Sequence, residues 1–190
     1  MQEAQTVTRL NIRPATSSDI PYLMALDHGY STDYVWQMAL QRDPQETSVA
    51  FREIRLPRPM RVKYPRDPRR MADEWVKARG MFIAGEAGHP IGYVSFIDGP
   101  APDSVWVTDL VVGLVDRRQG VATQLLREAC HWCSGQGLSR LFLEMQSKNF
   151  PALCLARKMG MIFTGYSDRY YPDQDIALFF AMDLQSPALR

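Results

Sequence analysis

Residues 105–126, VWVTDLVVGLVDRRQGVATQLL, combine an apolar strand, a basic turn and the start of a helix in direct succession. The run Val105–Val112 is rich in the β-branched residues that fill buried strands, and Asp109 is its only charged residue. Residues at helical spacing after the turn predict an amphipathic helix: Thr123, Leu125, Leu126, Ala129 and Cys133. N–H groups without partners and the positive end of the helix dipole favour an anion at such a turn, phosphate above all.

The turn itself, Arg117–Ala122, is neither of the two common nucleotide loops. It lacks the Gly-Lys-Ser/Thr of the P-loop, and of the three glycines of the dinucleotide fingerprint only Gly120 is present. Its Arg-x-x-Gly-x-Ala pattern resembles the acetyl-CoA pyrophosphate loop of the GNAT superfamily of N-acetyltransferases. A basic turn that merely caps a surface helix would show the same few residues, so the pattern needs support from the rest of the chain.

That support lies in Asn149-x-x-Ala152, with Gly160 eleven residues after the asparagine. This pattern resembles the family's helix beside the pantetheine arm, and with it the resemblance extends over residues 82–163. It implies the GNAT fold, an α/β (α+β) architecture with a mixed, mostly antiparallel central sheet flanked by helices. We expect one domain over residues 1–190, with a core of about residues 8–184, because no repeat, low-complexity tract or linker interrupts the chain.

Two stretches resemble a subgroup of that family more narrowly. Leu143–Asn149 is similar to the Leu-Glu-Thr-Gln-x-x-Asn run of streptothricin acetyltransferases, and Gly165–Phe180 is similar to the ending of that subgroup. The resemblance implies acetyl transfer from acetyl-CoA to a primary amine of a small cationic molecule, streptothricin- or aminoglycoside-like, without establishing the natural acceptor. The alternatives are a protein N-terminal or lysine acetyltransferase and a non-catalytic CoA-binding sensor.

The resemblance also implies where acetyl-CoA binds. N–H groups of the basic turn would hold the pyrophosphate with added charge from Arg117, and the helix after Asn149 would flank the pantetheine. A backbone N–H near Val112, where family members carry a bulge and Gly113 permits one, would meet the oxyanion. The expected cofactor-binding residues are Leu110, Val111, Val112, Arg117, Arg118, Gln119, Gly120, Val121, Ala122, Thr123, Asn149 and Ala152.

The implied reaction needs a base more than it needs an acid. A lysine-like ammonium has a pKa of about 10.4, so freeing its lone pair at pH 7 costs about 4–5 kcal/mol. The candidate bases are Asp109 and Glu144, because a carboxylate in a buried strand is costly unless it is paired or functional. Glu144 is favoured because the resemblance also places a glutamate there. Either carboxylate could instead bind the acceptor's cationic amine, and Asp109 could serve only a structural hydrogen bond.

One position departs from the family pattern: Ala156 stands where family members often carry a general-acid tyrosine. This departure is the hint of a non-catalytic sensor. A thiolate with a pKa of about 8.5 leaves without much help, so the loss of this tyrosine need not abolish activity. Tyr166, Tyr170 and Tyr171 are candidate substitute acids, and Tyr170 is the one we assign to the catalytic site, although aromatic packing is the simpler role of each.

Composition narrows the classes of function. A hydrophobic share of 46%, a charged share of 23% and a net charge of +1 indicate a globular protein without a global preference for nucleic acid or anionic membranes. No signal peptide is evident and no apolar run approaches the roughly 20 residues of a membrane span, so we expect a cytoplasmic protein. The pair Cys130-x-x-Cys133 lacks a second ligand pair for zinc, and we expect no metal.

The N-terminal part predicts a strand at Leu10–Pro14 and a helix behind the capping residues Ser17–Asp19. A second helix is expected over Asp33–Leu40. Because early helices of the GNAT fold form one wall of the acceptor cleft, its Tyr34 and Trp36 are candidate substrate-binding residues, although core packing is the simpler role of either one.

Arg52–Arg70 carries seven arginines and Lys63, against only Glu53 and Asp67. Val49–Arg55 alternates weakly like a strand, and we expect the four prolines that follow to break any regular element. These charges sit between prolines without a basic helix, so we expect no nucleic acid as a partner. We interpret the segment as an excursion near the mouth of the cofactor or acceptor site.

The remaining elements follow from apolar runs and turn residues. Helices are expected over Ala72–Arg79 and Pro151–Met159. The further strands are expected at Met81–Ala84, Ile91–Ile97, Val105–Val112, Leu141–Met145, Ile162–Tyr166 and Ile176–Leu184. A homodimer through the last strands is a further expectation, because many family members pair there and Ile176–Met182 is apolar.

Overall fold

The structure of the protein is a computed structural model, and it describes residues 10–185. Residues 8 and 9 of the expected core lie outside the described part. The elements in chain order are β1 (Ile12–Pro14), α1 (Ile20–Met24), β2 (Tyr30–Asp43), β3 (Glu46–Val62), α2 (Met71–Glu74), β4 (Gly80–Glu86), β5 (His89–Asp98), β6 (Ser104–Val112), α3 (Val121–Gly135), β7 (Arg140–Gln146), α4 (Phe150–Lys158), β8 (Ile162–Ser167) and β9 (Ala177–Asp183).

Seven strands form one sheet in the order β1-β4-β5-β6-β7-β9-β8, and β2 pairs with β3 in a separate two-stranded sheet. Neighbours in the large sheet are antiparallel except β6 and β7, which are parallel. The mixed, mostly antiparallel sheet with flanking helices that the sequence predicted is therefore confirmed. The strands predicted at Met81–Ala84, Ile91–Ile97 and Val105–Val112 form an antiparallel meander, β4–β5–β6, with a turn at Gly88 whose φ is +79°.

The large sheet separates two apolar clusters. On one side α3 and α4 pack on the strands, with Leu125 and Leu153 fully buried beside Val94. On the other side Leu23 of α1 packs near Tyr93. Consecutive strand residues point to opposite faces, so Tyr93 and Val94 mark the two faces of the sheet.

The helix expected over Asp33–Leu40 is wrong, because this segment lies in the 14-residue strand β2. Four apolar residues of this segment recur in the sequence at every second position, which is the period of a strand: Tyr34, Trp36, Met38 and Leu40. They pair across the hairpin with β3, where Met38 and Leu40 face apolar residues and Tyr34 and Trp36 face charged ones.

The prolines after Arg55 do not all break the strand, contrary to expectation. Pro57 and Pro59 lie within β3, which continues to Val62. The pairing of β2 with β3 shifts register there, and the residues between Arg55 and Met60 have no assigned partner on β2. Proline is tolerated at such an irregularity because no ladder N–H is required. The helix expected over 72–79 is shorter than predicted, since α2 ends at Glu74 and a 3₁₀ turn follows.

The homodimer expected through the last strands stays a prediction, although the fold gives their apolar residues another explanation. Strand β9 lies between β7 and β8, and its apolar residues Leu178 and Phe180 are buried in the main cluster. The edge strand at this end of the sheet is β8, where Ile162 is 63% exposed and Phe163 is 42% exposed. The apolar character of Ile176–Met182 is thus explained by the core of a single chain.

Candidate active site

The site forms where the two parallel strands of the sheet separate. Pairing between β6 and β7 runs from Ser104/Arg140 to Val107/Leu143 and stops there. Strand β7 continues to Gln146 in register with β9, and β6 continues to Val112 in register with β5. The strands therefore form a fork beyond Val107 and Leu143, and backbone groups inside the fork have no ladder partner.

The register of β6 on β5 shows which amides point into the fork. The N–H of Gly113 donates to the Ile91 carbonyl over 2.8 Å. Hydrogen-bonded pairs alternate in an antiparallel ladder, so the Val111 N–H also points to β5 while the N–H groups of Leu110 and Val112 point away from it. These two amides face the fork. The bulge expected near Val112 lies earlier, at Thr108, where the pairing of β5 with β6 shifts.

The basic turn presents a row of backbone amides. Among residues 10–185, none of the N–H groups of residues 118–123 donates a hydrogen bond, and the first helical bond runs from the Gln124 N–H to the Gly120 carbonyl over 3.0 Å. Arg118 and Gly120 have φ of +67° and +86°, so left-handed residues turn successive amides inward. Such a concave row is suited to a diphosphate.

The side chain of Arg117 binds backbone carbonyls next to this turn. Its Nε donates to the Val112 carbonyl over 2.8 Å, and its guanidinium also donates to the Asp27 carbonyl. Desolvation lowers the pKa of its guanidinium, which nevertheless stays charged. Arg117 thus joins the end of β6 to the segment after α1, while Arg118 and Gln119 are exposed.

Asn149 caps the helix beyond the fork. Its Oδ1 accepts from the Ala152 N–H over 3.1 Å, so the N–H of Ala152 is already used within the helix start. The helix expected at Pro151–Met159 is confirmed, beginning one residue earlier at Phe150. Ala156 is fully buried in the main core. The position of the missing tyrosine is therefore filled by packing in this protein.

The two carboxylates named by the sequence share one cation. Glu144 accepts from Arg66 and from the hydroxyls of Tyr171, over 3.1 Å, and Tyr170, over 2.9 Å. Asp109 accepts on Oδ1 from the Tyr64 hydroxyl, and the same oxygen is 3.9 Å from the Arg66 guanidinium. No hydrogen bond reaches Oδ2 of Asp109 from the described residues. Both oxygens of Glu144 thus accept hydrogen bonds, whereas Oδ2 of Asp109 accepts none from the described residues.

The three tyrosines that donate to Asp109 and Glu144 have raised pKa values. Desolvation and the neighbouring Glu144 charge raise the pKa of Tyr170 to about 12, and the same causes raise the pKa of Tyr171 further. Desolvation also raises the pKa of Tyr64 well above its ordinary value. At neutral pH these hydroxyls therefore act as hydrogen-bond donors to the carboxylates.

Behind Asp109 lies a buried histidine. His28 Nδ1 is 2.7 Å from the Leu26 carbonyl, which can only accept, so Nδ1 carries the proton. Its Nε2 then accepts from the Tyr93 hydroxyl over 3.2 Å. Desolvation lowers the pKa of His28, and its ring lies 5.3 Å from that of Tyr64. A neutral histidine thus supports the residues around Asp109.

The structure separates the two aromatic residues that the sequence placed at the acceptor cleft. Tyr34 packs on Phe150 at the start of α4, with ring centroids 4.9 Å apart. The Trp36 N–H donates to the Ser147 carbonyl over 2.9 Å, while its ring packs on Phe163 and other aromatic residues of the core. Tyr34 lies beside the helix that Asn149 caps, and Trp36 anchors the β2–β3 hairpin.

Sequence reasoning missed Tyr64 and Arg66. They follow β3 in the basic segment, which had been interpreted only as an excursion near the mouth of the site. No periodicity marks them, because their partners on β6 and β7 lie 42 to 78 residues further along the chain. An arginine between prolines, with buried carboxylates elsewhere, was the only available signal.

Comparison with known proteins identifies the family. The description "Acetyltransferase (GNAT) family" matches residues 48–161. The chain belongs to the GNAT acetyltransferase family. It is thus an acetyl-CoA-dependent N-acetyltransferase, and the fork and the row of amides are the features of its structure that fit a thioester donor with a diphosphate.

Relatives of this acetyltransferase include a streptothricin acetyltransferase of Streptomyces lavendulae, 23% identical over 164 residues, which cover 84% of this chain and 85% of the relative. A crystal structure of nourseothricin acetyltransferase is similar with a TM-score of 0.76 and 25% identity, covering 93% of this chain and 99% of that one. A putative streptothricin acetyltransferase from Bacillus anthracis str. Ames, in complex with acetyl coenzyme A, has the same fold, with a TM-score of 0.70, 16% identity and coverage of 92% and 99%.

Two further observations concern membrane spans and metal sites. No helix within residues 10–185 of the acetyltransferase is long and apolar enough to cross a membrane. Cys130 and Cys133 are buried thiols on α3, and desolvation raises the pKa of each to about 12. Across the described residues, the side chains of histidine, cysteine, aspartate and glutamate form no group suited to a metal ion.

Proposed function

We propose that the enzyme acetylates a primary amine of a small cationic molecule, of the streptothricin or aminoglycoside type. The observation that carries this proposal is the pair of carboxylates beside the fork, where Asp109 and Glu144 share the single guanidinium of Arg66. These three groups carry one net negative charge, which suits one incoming ammonium. The streptothricin and nourseothricin acetyltransferases among the relatives support the same acceptor class.

In this proposal Asp109 is the base. Deprotonating an alkyl ammonium at pH 7 costs about 4–5 kcal/mol, so a carboxylate with an available oxygen beside the amine is needed. Oδ2 of Asp109 meets this requirement among the described residues, whereas both oxygens of Glu144 already accept hydrogen bonds. Glu144 then orients the site and attracts the acceptor. This reverses the preference that the sequence suggested.

The donor side of the reaction uses the backbone. The amides of residues 118–123 would hold the diphosphate of acetyl-CoA, and Asn149 would lie beside its pantetheine arm. The N–H groups of Leu110 and Val112, which point into the fork, would stabilise the oxyanion of the tetrahedral intermediate formed when the amine attacks the thioester. Preorganised backbone donors of this kind need no reorganisation as the negative charge develops.

No tyrosine acid is required in this scheme. A thiol has an ordinary pKa of about 8.5, and the pKa of Tyr170 is raised to about 12. A proton transfer from Tyr170 to the departing thiolate would therefore be uphill. We assign Tyr170 to acceptor binding through Glu144, and the thiolate leaves as an anion or takes a proton from water.

The experiment is an acceptor panel with thiol release from acetyl-CoA as the readout. Streptothricin, aminoglycosides and polyamines form one arm, and peptides with a free N-terminus or an internal lysine form the other. We expect the cationic small molecules to be acetylated with the higher kcat/KM. Preference for peptides would replace the acceptor assignment with a protein acetyltransferase, and failure of acetyl-CoA to bind in calorimetry would contradict the use of the loop.

A further inference from the structure

Arg66 lies at the point where the fork opens. Its guanidinium donates to the carbonyl of Thr108, the bulged residue of β6 that follows the last pair with β7. It also donates to Glu144, the first residue of β7 beyond that pair. One side chain from the segment after β3 thus bridges both arms of the fork.

The same guanidinium influences both carboxylates, but unequally. It bonds directly to Oε1 of Glu144, while its nearest approach to Asp109 is 3.9 Å. The ring of Tyr171 lies 6.0 Å from its central carbon, and 34% of the arginine side chain remains exposed. Without this cation, two negative charges would stand at one partly buried site with no counter-charge, which favours protonation of one of them.

We propose that Arg66 is a positioning residue for acetyl transfer, which pairs directly with the Glu144 carboxylate and thereby leaves Asp109 as the proton acceptor. This inference rests on the proposed role of Asp109 in the base step. The two carboxylates that the fold places at one guanidinium thus have different roles in the reaction. The acceptor's proton then goes to Asp109 and cannot be taken up by Glu144.

The charged and titratable groups around the pair come from each element that packs there. Those facing Asp109 are His28, Tyr64, Arg66 and Tyr93, and those facing Glu144 are Arg66, Tyr170 and Tyr171. Apart from Arg66, these groups are neutral at neutral pH, given the raised pKa of the four tyrosines and the lowered pKa of His28. Removal of the guanidinium therefore leaves no compensating cation among them.

The test compares Arg66→Gln and Arg66→Lys with the control Arg69→Gln. Arg69 lies in the same segment, but its side chain is 84% exposed, and its only ion-pair partner within residues 10–185 is Asp67. For Arg66→Gln we expect the acid limb of the pH profile of kcat/KM to move upward by about 1–3 pH units, the usual effect of one charge at this range. The loss of activity should shrink toward high pH. For Arg66→Lys we expect the acid limb of the pH profile at nearly the same pH as in the original protein.

A second readout needs no acceptor. Infrared difference spectra recorded as the pH is lowered should show a protonated carboxyl group in Arg66→Gln at a pH where the original protein and Arg69→Gln show none. A pH-independent loss of kcat/KM with unchanged infrared titration would overturn the proposal, because a merely structural arginine behaves in that way. If no amine is acetylated by the original protein, the proposed function fails, and the infrared titration still decides the role of Arg66.

Discussion

Replacement of Gly120 by alanine should weaken acetyl-CoA binding by about 5–30-fold. Gly120 precedes α3 with a φ of +86°, and a Cβ built on it would meet nothing within 4 Å. The change therefore adds no clash and acts only through the left-handed backbone, which costs an L-residue about 1–2 kcal/mol. At about 1.4 kcal/mol per factor of ten, that cost gives the stated range when it falls on binding.

The cost should fall on binding because little holds the loop without its ligand. The amides of residues 118–123 have no acceptor among residues 10–185, and at Gly120 itself only the carbonyl is tied to the helix. An alanine at this position can relax to a right-handed conformation in the unliganded protein. It must then return to the left-handed one for the amides to converge on the diphosphate.

Gly137→Ala is the matched control. Gly137 has a φ of +78°, its added Cβ would also meet nothing within 4 Å, and it lies just past the far end of α3. A helix of 15 residues is about 22 Å long, so the control carries the same strain away from the loop. Calorimetric titration with acetyl-CoA should show weaker binding for Gly120→Ala and unchanged binding for Gly137→Ala. Gly120→Asn should bind acetyl-CoA more tightly than Gly120→Ala, because asparagine tolerates the left-handed conformation. Equal affinities for the two alanine variants would refute the reasoning.

Four further substitutions test the site and the fold. Asp109→Asn should lower kcat/KM by about 10²–10⁴, as expected for a lost base, and Glu144→Gln should lower it by less. Both variants should bind acetyl-CoA with unchanged affinity. A larger loss of kcat/KM from Glu144→Gln would exchange the roles of the two carboxylates. Asp19 accepts from Arg13 over 2.7 Å, which lowers the pKa of its carboxyl. The stabilising effect of the Asp19 carboxylate is therefore present above the ordinary aspartate pKa of about 3.9 and is lost as the pH falls below it. The free energy of unfolding of Asp19→Asn, measured with urea, should depend less on pH between 5 and 2 than that of the original protein. Leu153→Ala, at a fully buried position of α4, should lower the free energy of unfolding by about 2–5 kcal/mol, and a loss below 1 kcal/mol would show that the core collapses around it.

The parts of the fold that the sequence predicted correctly are those encoded over short distances. The strand, turn and helix around Gly120 appear within about twenty residues, and each has its own local signal in β-branched residues, small residues and helical spacing. The Asn149 cap is equally local, since its acceptor oxygen bonds to Ala152 three residues later. These elements therefore needed no knowledge of distant partners.

The β2–β3 hairpin could not be predicted in the same way. Its strands are longer than most, and the two prolines inside β3 argue for a break in any local analysis. They are tolerated because the strand pairing skips them, and that irregularity depends on the partner strand. Arg66 was missed for a similar reason, since its role depends on Thr108 and Glu144, which only the tertiary fold brings to it.

The bulge at Thr108 explains why Asp109 lies on the face of the sheet opposite to the main core. Val105 and Val107 point into the core beneath α3, so strict alternation would also bury Asp109 there. One extra residue shifts the phase of the strand, and Val111 accordingly packs with Tyr93 on the opposite face. Asp109 turns to that face with it, next to the guanidinium that binds the Thr108 carbonyl. The bulge thus accounts for the position of Asp109 beside Arg66, 3.9 Å from its guanidinium.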